Sequence, residues 1–256
     1  MNKKPVYKTW IRINKIITFL GISILLILIL FMPINLFIRI VAGALAVPFL
    51  YILFIISYSY YQFSDFGGNF QYKIHSLIID RANLKEEGRI LDIGTGSASL
   101  IIKLAKSLPK ASLVGIDYWG KDWEYSKKMC EANAEYEGVL DKINFIKASA
   151  SKLPFNDNEF DLVVSCLTFH EVKDERDKIK VLKEALRVLK NNGEFIFLDL
   201  FLDERIFGNN IEFFKDINSL GVSEVKVEKL ESIIELPSIL LHKKVLGKAV
   251  VIYGKK

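Results

Sequence analysis

"RILDIGTGSASLIIKLA", Arg89 to Ala105, decides the reading of this chain. An apolar run stops at Asp92, crosses Gly94 and Gly96 with Thr95 between them, and resumes in a helical pattern from Ser99. Glycines between a strand and a helix let the backbone approach a ligand without a Cβ in the way. In an open parallel sheet such a ligand sits beyond the carboxyl ends of the strands. About twenty residues on, "ASLVGID" closes at Asp117, where a carboxylate can accept both hydroxyls of a ribose. A dinucleotide wants a third glycine so that the helix N-terminus can seat a pyrophosphate, but Ser97, Ala98 and Ser99 follow Gly96. That disfavours a nicotinamide-dependent reductase. An acid two residues before the first glycine suits instead an adenosine-type ligand with a cationic amino-acid end.

Outward from this turn, short apolar strands alternate with amphipathic helices. "SLIIKLAKSL" reads as a helix stopped by Pro109, "DWEYSKKMCEANAEYEG" as one closed by Gly138, and Asp174 to Lys190 as a third. In the third, Ile179, Leu182, Leu186 and Leu189 share a face, Asp174 caps the start and Asn191-Asn192-Gly193 ends it. "INFIKA", "FDLVVSCL" and "EFIFLDLF" are further strands. Nearly all-apolar strands separated by helices imply a parallel sheet covered on both faces. A short helix near Ile211 to Leu220 precedes two late strands, "VSEVKVEKL" and "KAVVIYG", joined through Pro237 too irregularly for a confident crossover helix, so an antiparallel final strand is expected.

Four segments in register, "ILDIGTGSAS", "GIDYW", "KASASKLPFNDNEFDLVVSCLTFHEV" and "EALRVLKNNGEFIFLDLF", closely resemble the class I S-adenosylmethionine-dependent methyltransferases of the small-molecule type. The resemblance is strong from Arg89 to Phe201. It implies a Rossmann-like α/β fold with a mostly parallel seven-stranded sheet and an antiparallel last strand. It further implies that Asp92, Gly94, Thr95 and Gly96 line the methionine side of S-adenosylmethionine, that Asp117 holds the ribose, and that Tyr118 lies against the adenine with Trp119 nearby. Ser149 and Ala150 fall at the adenine edge, where Ser149 stands in place of a frequent aspartate; Ala98 replaces a frequent third glycine. By the same analogy Ser165 faces the sulfonium.

Methyl transfer from a sulfonium needs in-line positioning and, for a protonated nucleophile, a base. His170 in "TFHEV" is the candidate base, since imidazole titrates near neutrality, with Glu171 a weaker one. Cys166 follows a serine rather than a proline and reads as a small buried residue; Cys130 is its only companion, and neither cysteines nor His75, His170 and His242 have metal-site spacing.

The chain's excess of apolar residues, 51% of 256, is concentrated before this domain. Ile16 to Phe31 and Ile40 to Tyr61 are two nearly charge-free runs approaching the roughly 20 residues that cross a bilayer. Lys3, Lys4, Lys8, Arg12 and Lys15 precede them; removing these five from the 35 basic residues leaves 30 against 30 acidic ones. The formal charge of +5 therefore sits in the leader, and basic flanks stay on the cytoplasmic side. The expected organisation is a leader and two-helix membrane hairpin over 1–62, with Arg39 snorkelling near the outer turn, and a cytoplasmic methyltransferase domain over 63–256. With no net positive charge beyond the leader, nucleic acid is not an expected partner. A small hydrophobic or membrane-associated acceptor is. The contrasting class is a catalytically silent module that binds the nucleoside cofactor. Gly67-Gly68 reads as a hinge or part of a lid, His75 as a residue that packs or faces solvent, and the apolar stretch 230–247 as a cover for the core or, alternatively, a membrane-dipping flap or apolar substrate wall.

Overall fold

A computed structural model describes residues 4–83, 87–121 and 123–256. Lys3 of the leader and Asp122, where the sequence opens a helix, lie outside them. The chain divides into two compact units: Thr9–Tyr72, and Met1–Lys8 together with Lys73–Lys256. The sequence places a boundary near residue 62; the structure instead groups the residues ahead of the hairpin with the larger unit.

In the smaller unit, α1 (Ile13–Phe31) and α2 (Leu36–Phe63) form an antiparallel pair, both long and apolar enough to cross a membrane. Asn35 starts α2, its Oδ1 accepting from Phe37 N–H at 2.8 Å. Ser23, Ala42 and Ala46 are buried in this unit, and a Cβ on Gly43 would meet Leu30 at 3.4 Å. Small side chains let apolar helices pack closely where no hydrophobic drive separates helix from lipid. Leu25, Leu28, Phe31, Phe37 and Val47 are all exposed. Gly67 and Gly68 are not a free hinge: a Cβ on either would collide with the backbone or side chains of Tyr61 and Gln62, so the turn after α2 packs tightly against the helix end.

After α3 (Phe70–Arg81), the larger unit is a seven-stranded sheet in the order β3-β2-β1-β4-β5-β7-β6. Its strands are β1 (Arg89–Ile93), β2 (Ser112–Asp117), β3 (Ile143–Lys147), β4 (Phe160–Cys166), β5 (Leu189–Asp199), β6 (Glu224–Lys229) and β7 (Val250–Lys255). The first five run parallel; β7 enters antiparallel to both β5 and β6. Helices α4 (Ser99–Ser107), α5 (Lys127–Tyr136) and α6 (Lys178–Arg187) cover the sheet, followed by α7 (Glu204–Phe207), α8 (Asn210–Ser219) and α9 (Leu230–Ile233). The core gathers Leu91, Ile93, Val163, Phe169, Phe195 and Phe197 around the central strands.

Two helix boundaries differ from the sequence reading. α5 begins at Lys127, because Ser126 caps it by accepting from Met129 N–H. α6 begins at Lys178 rather than Asp174: Asp177 accepts from Ile179 N–H, while Asp174 is engaged by the Ser151 hydroxyl. It ends at Arg187, since Leu189 already pairs with Phe160 in the sheet. Asn191-Asn192-Gly193 is a bend inside β5, with Asn192 at φ 62° and a register shift opposite it, rather than a helix stop. Leu236, Leu240 and Leu246 are buried, so 230–247 covers the core.

Candidate active site

Parallel register brings the carboxyl ends of β1, β2, β4 and β5 to one edge: Asp92 lies beside Gly115, Ile93 beside Ser165, and Ser165 beside Phe197. Six non-glycine residues among those described have positive φ; three are asparagines, and the others are Ala98, Trp119 and Leu167. Those three follow β1, β2 and β4 and so lie at this edge. Left-handed backbone costs a non-glycine residue about 1–2 kcal/mol, and such strain concentrates at functional sites.

The turn after β1 is held from below. Gly94 and Thr95 N–H donate to Ile116 O at 2.8 and 2.9 Å. Gly96 N–H donates to Asp117 Oδ2 at 2.9 Å, and Trp119 N–H to Asp117 Oδ1 at 2.7 Å. Trp119 Nε1 and Cys130 Sγ both donate to Gly96 O. Gly94, at φ 78°, serves the protein itself: a Cβ there would collide with the Thr168 side chain. Gly96 is open by comparison, with Tyr125 3.6 Å from where its Cβ would be.

Asp92 is 1% exposed, and neither its Oδ2 nor the neighbouring Thr95 Oγ1 makes a hydrogen bond of full geometry among the described residues. Burial pushes the Asp92 carboxyl up to about 7, against the Thr95 hydroxyl, whose nearby hydrogen lowers it, and with the charge of Asp117 adding to the rise. Burial raises Asp117 as well, against the backbone N–H groups of Trp119, Gly96 and Tyr118. A buried carboxylate oxygen without a donor is costly unless something supplies one. An ammonium would do so. The residues present therefore fit an adenosyl amino acid: Asp92 for its cationic end and Asp117, whose oxygens keep unused lone pairs, for its ribose. Tyr118 offers an exposed ring past Asp117, with Lys147 Nζ 5.6 Å from its centroid.

Ser149 shares a hydrogen bond of 2.9 Å with Ser151, whose hydroxyl donates to Asp174 at 2.6 Å. The carboxylate missing at position 149 thus stands two hydroxyls away. Ala150 packs into the core. Ser165 is fully buried and donates to Ile93 O at 3.0 Å. It ties β4 to β1 at the strand ends next to the glycine turn, over which Thr168 packs against Gly94.

His170 lies in a 3₁₀ turn, Phe169–Glu171, and its Nδ1 is 2.6 Å from Oδ1 of Asp199, the fully buried last residue of β5. Asp199 also accepts from Phe169 N–H at 2.7 Å and Leu200 N–H at 2.7 Å. A carboxylate only accepts, so in the neutral ring Nδ1 carries the proton and Nε2 keeps the lone pair. Burial opposes the imidazolium, but Asp199 outweighs it and the His170 pKa is raised. Glu171 Oε1 stands 3.8 Å from Nε2, beyond hydrogen-bond distance. Sequence reasoning missed Asp199, although "FLD" repeats the signal of "ILD" and "GID": an apolar strand ending in an acid.

His75, by contrast, is buried with Nδ1 3.0 Å from Ser99 Oγ, and burial together with Lys103 pushes its pKa down to about 3. Cys166 is buried and its thiol pushed up by burial. Among the described residues no group of three or more His, Cys, Asp or Glu is arranged for a metal.

Residues 91–197 match the methyltransferase domain family. A ubiquinone/menaquinone biosynthesis C-methyltransferase of Geotalea daltonii is 30% identical over 159 residues, 59% of this chain and 65% of that protein. A sterol 4-C-methyltransferase of Caenorhabditis elegans is 28% identical over 170 residues, 60% of this chain and 48% of that protein. The chain thus spans about half to two thirds of the length of these relatives. Among solved structures, an S-adenosylmethionine-dependent methyltransferase-like protein of Methanococcus maripaludis superposes with TM-score 0.52 at 20% identity, covering 72% of this chain and 83% of that one. The [4+2]-cyclase SpnF superposes at 0.55 with 15% identity, covering 72% and 80%. These two likenesses speak to the fold. Strand order, the glycine turn with its two strand-end acids, and the family match agree, and residues 91–197 form a methyltransferase domain of the class I S-adenosylmethionine-dependent type.

Proposed function

We propose that the chain transfers a methyl group from S-adenosylmethionine to a small, hydrophobic, membrane-associated acceptor, with its hairpin in the bilayer and its larger unit on the cytoplasmic face. The observation that carries transfer, rather than cofactor binding alone, is the His170–Asp199 pair at the strand edge that also holds Asp92 and Asp117. The cofactor supplies an electrophilic methyl on an excellent leaving group. The protein's own task is then orientation and proton removal.

In this reading Asp92 receives the ammonium, Asp117 the ribose, and Gly94, Thr95 and Gly96 line the turn between them. Tyr118 offers a face for the adenine and Ser149 and Ala150 border it, while Ser165 braces the site from below. His170 Nε2 takes the acceptor's proton while Asp199 fixes the tautomer and stabilises the imidazolium that results. The hydrophobic acceptor is supported by the quinone and sterol named for the two relatives, and by two helices of membrane-crossing length with basic flanks.

The test is transfer of labelled methyl to a membrane lipid extract. Wild type is expected to label a product, with His170→Ala slowing labelling by at least 100-fold at unchanged cofactor affinity. Cofactor binding without labelling of any extract would make the chain a silent nucleoside-binding module. Intact labelling by the His170 variant would remove the base role.

A further inference from the structure

The residues ahead of the hairpin are bonded to the cofactor turn. Val6 is gripped at both main-chain groups by one side chain of α5: its N–H donates to Asn133 Oδ1 at 2.8 Å, and Asn133 Nδ2 donates to Val6 O at 2.9 Å. The second hydrogen of that same amide goes to Ser97 O at 3.0 Å. Two residues on, Lys8 N–H donates to Ser97 Oγ at 3.4 Å, and Lys8 Nζ pairs with Glu124 at 3.2 Å. Tyr7 OH reaches Glu137 at 3.1 Å. Asn133 and Ser97 are both buried, 3% and 4% exposed, so these bonds are screened from water.

The geometry matters because of where Ser97 stands. It lies between Gly96, whose N–H and carbonyl are both held by the domain, and Ala98, which is fully buried in left-handed backbone at φ 68°. On the domain side the turn is fixed by Asp117, Trp119 and Cys130. On the other side its Ser97 corner is held only by the Asn133 amide and, through Lys8, by residues 6–8, as far as the described side-chain bonds go. An Asn side chain that loses Val6 loses the two bonds that fix its plane, and its hold on Ser97 O loosens with them.

We propose that residues 5–8 are a working part of the cofactor site: a strap whose docking keeps the glycine turn in its binding geometry, with Asn133 the positioning residue that joins the two. This rests on the cofactor reading above. It also gives the basic leader a second role beside its charge. Lys8 is followed directly by Thr9, the first residue of the hairpin unit.

The test uses the full-length protein in detergent with S-adenosylhomocysteine as the probe. Val6→Pro removes one N–H, the donor to Asn133 Oδ1, at a position already preceded by Pro5, and changes no residue of the turn or of α5. It is expected to weaken the probe about tenfold, the loss of roughly one buried hydrogen bond. Asn133→Asp, which replaces the donor facing Val6 O and Ser97 O by an acceptor, is expected to weaken it further. Linkage requires the converse, so the probe should slow hydrogen exchange of the Val6 and Lys8 amides in wild type, a readout that a merely structural strap would leave unmoved. Equal affinity of wild type and Val6→Pro, or exchange of those amides indifferent to the probe, overturns the strap. Failure of wild type to bind the probe overturns instead the cofactor reading beneath it. If Asn133→Asp does not fold, Val6→Pro and the exchange measurement decide.

Discussion

Asp92→Asn is expected to stabilise the free protein at pH 8 and to weaken its cofactor binding at least tenfold. Asp92 titrates near 7 in the folded chain against 3.8 in the unfolded one. Between those values the folded state holds a proton that the unfolded state has released, so the unliganded wild type loses stability as pH rises through that interval and reaches its floor above about pH 7. At about 1.4 kcal/mol per pH unit, the penalty is about 4 kcal/mol at pH 8 and between 1 and 2 kcal/mol, roughly, at pH 5. Asparagine does not titrate, and its unpartnered amide costs roughly 1–3 kcal/mol at either pH. The advantage of the variant over wild type should therefore grow by about 2–3 kcal/mol between pH 5 and pH 8. For a unit of this size that is a relative gain in Tm of several degrees. Thermal unfolding of both proteins at the two pH values, without ligand, measures it. Titration with S-adenosylhomocysteine at pH 8 should show at least a tenfold loss, because the charge that receives the ammonium is gone. A variant equally destabilised at both pH values, or one that keeps the ligand, refutes the argument that Asp92 is held in wait for a cation.

Asp199→Asn should lower turnover by at least tenfold and move the alkaline rise of the rate to lower pH, because the carboxylate that raises the His170 pKa is removed; an unmoved profile would separate Asp199 from the base. The same pair contributes stability that is present below the unfolded histidine value and is lost as pH rises through the higher folded one. Gly94→Ala should destabilise by more than about 2 kcal/mol, from left-handed backbone and the clash with Thr168, read as a fall in Tm with or without ligand. Ser165→Ala should cost about 1 kcal/mol of stability through loss of the bond to Ile93 O while leaving cofactor affinity unchanged; a large affinity loss would return Ser165 to the cofactor.

Where the chain's chemistry is local, it was legible. An apolar strand ending in an acid, then two glycines, places Asp92 and Gly96 at a sheet edge without coordinates, and alternating elements give the parallel sheet with β7 reversed. Contacts between distant segments were not legible. Asp199 reaches His170 across 29 residues, and Asn133 reaches Val6 across 127, through pairings that no spacing encodes. The helix cap was misplaced because Asp174 and Asp177 both suit an N-cap, and only the Ser151 hydroxyl decides between them. Nor does sequence carry the sign of φ: Leu167 reads as an ordinary residue, although it shares left-handed backbone with Ala98 and Trp119 at the same strand edge.

The most direct test of the account is calorimetric titration of the detergent-solubilised chain with S-adenosylhomocysteine, with NADH in parallel. Saturable binding of S-adenosylhomocysteine alone, lost in Asp92→Ala and Asp117→Ala, is the predicted result. Binding of NADH alone, or affinity for S-adenosylhomocysteine unchanged in both variants, would contradict the assignment of the turn from Asp92 to Ser99.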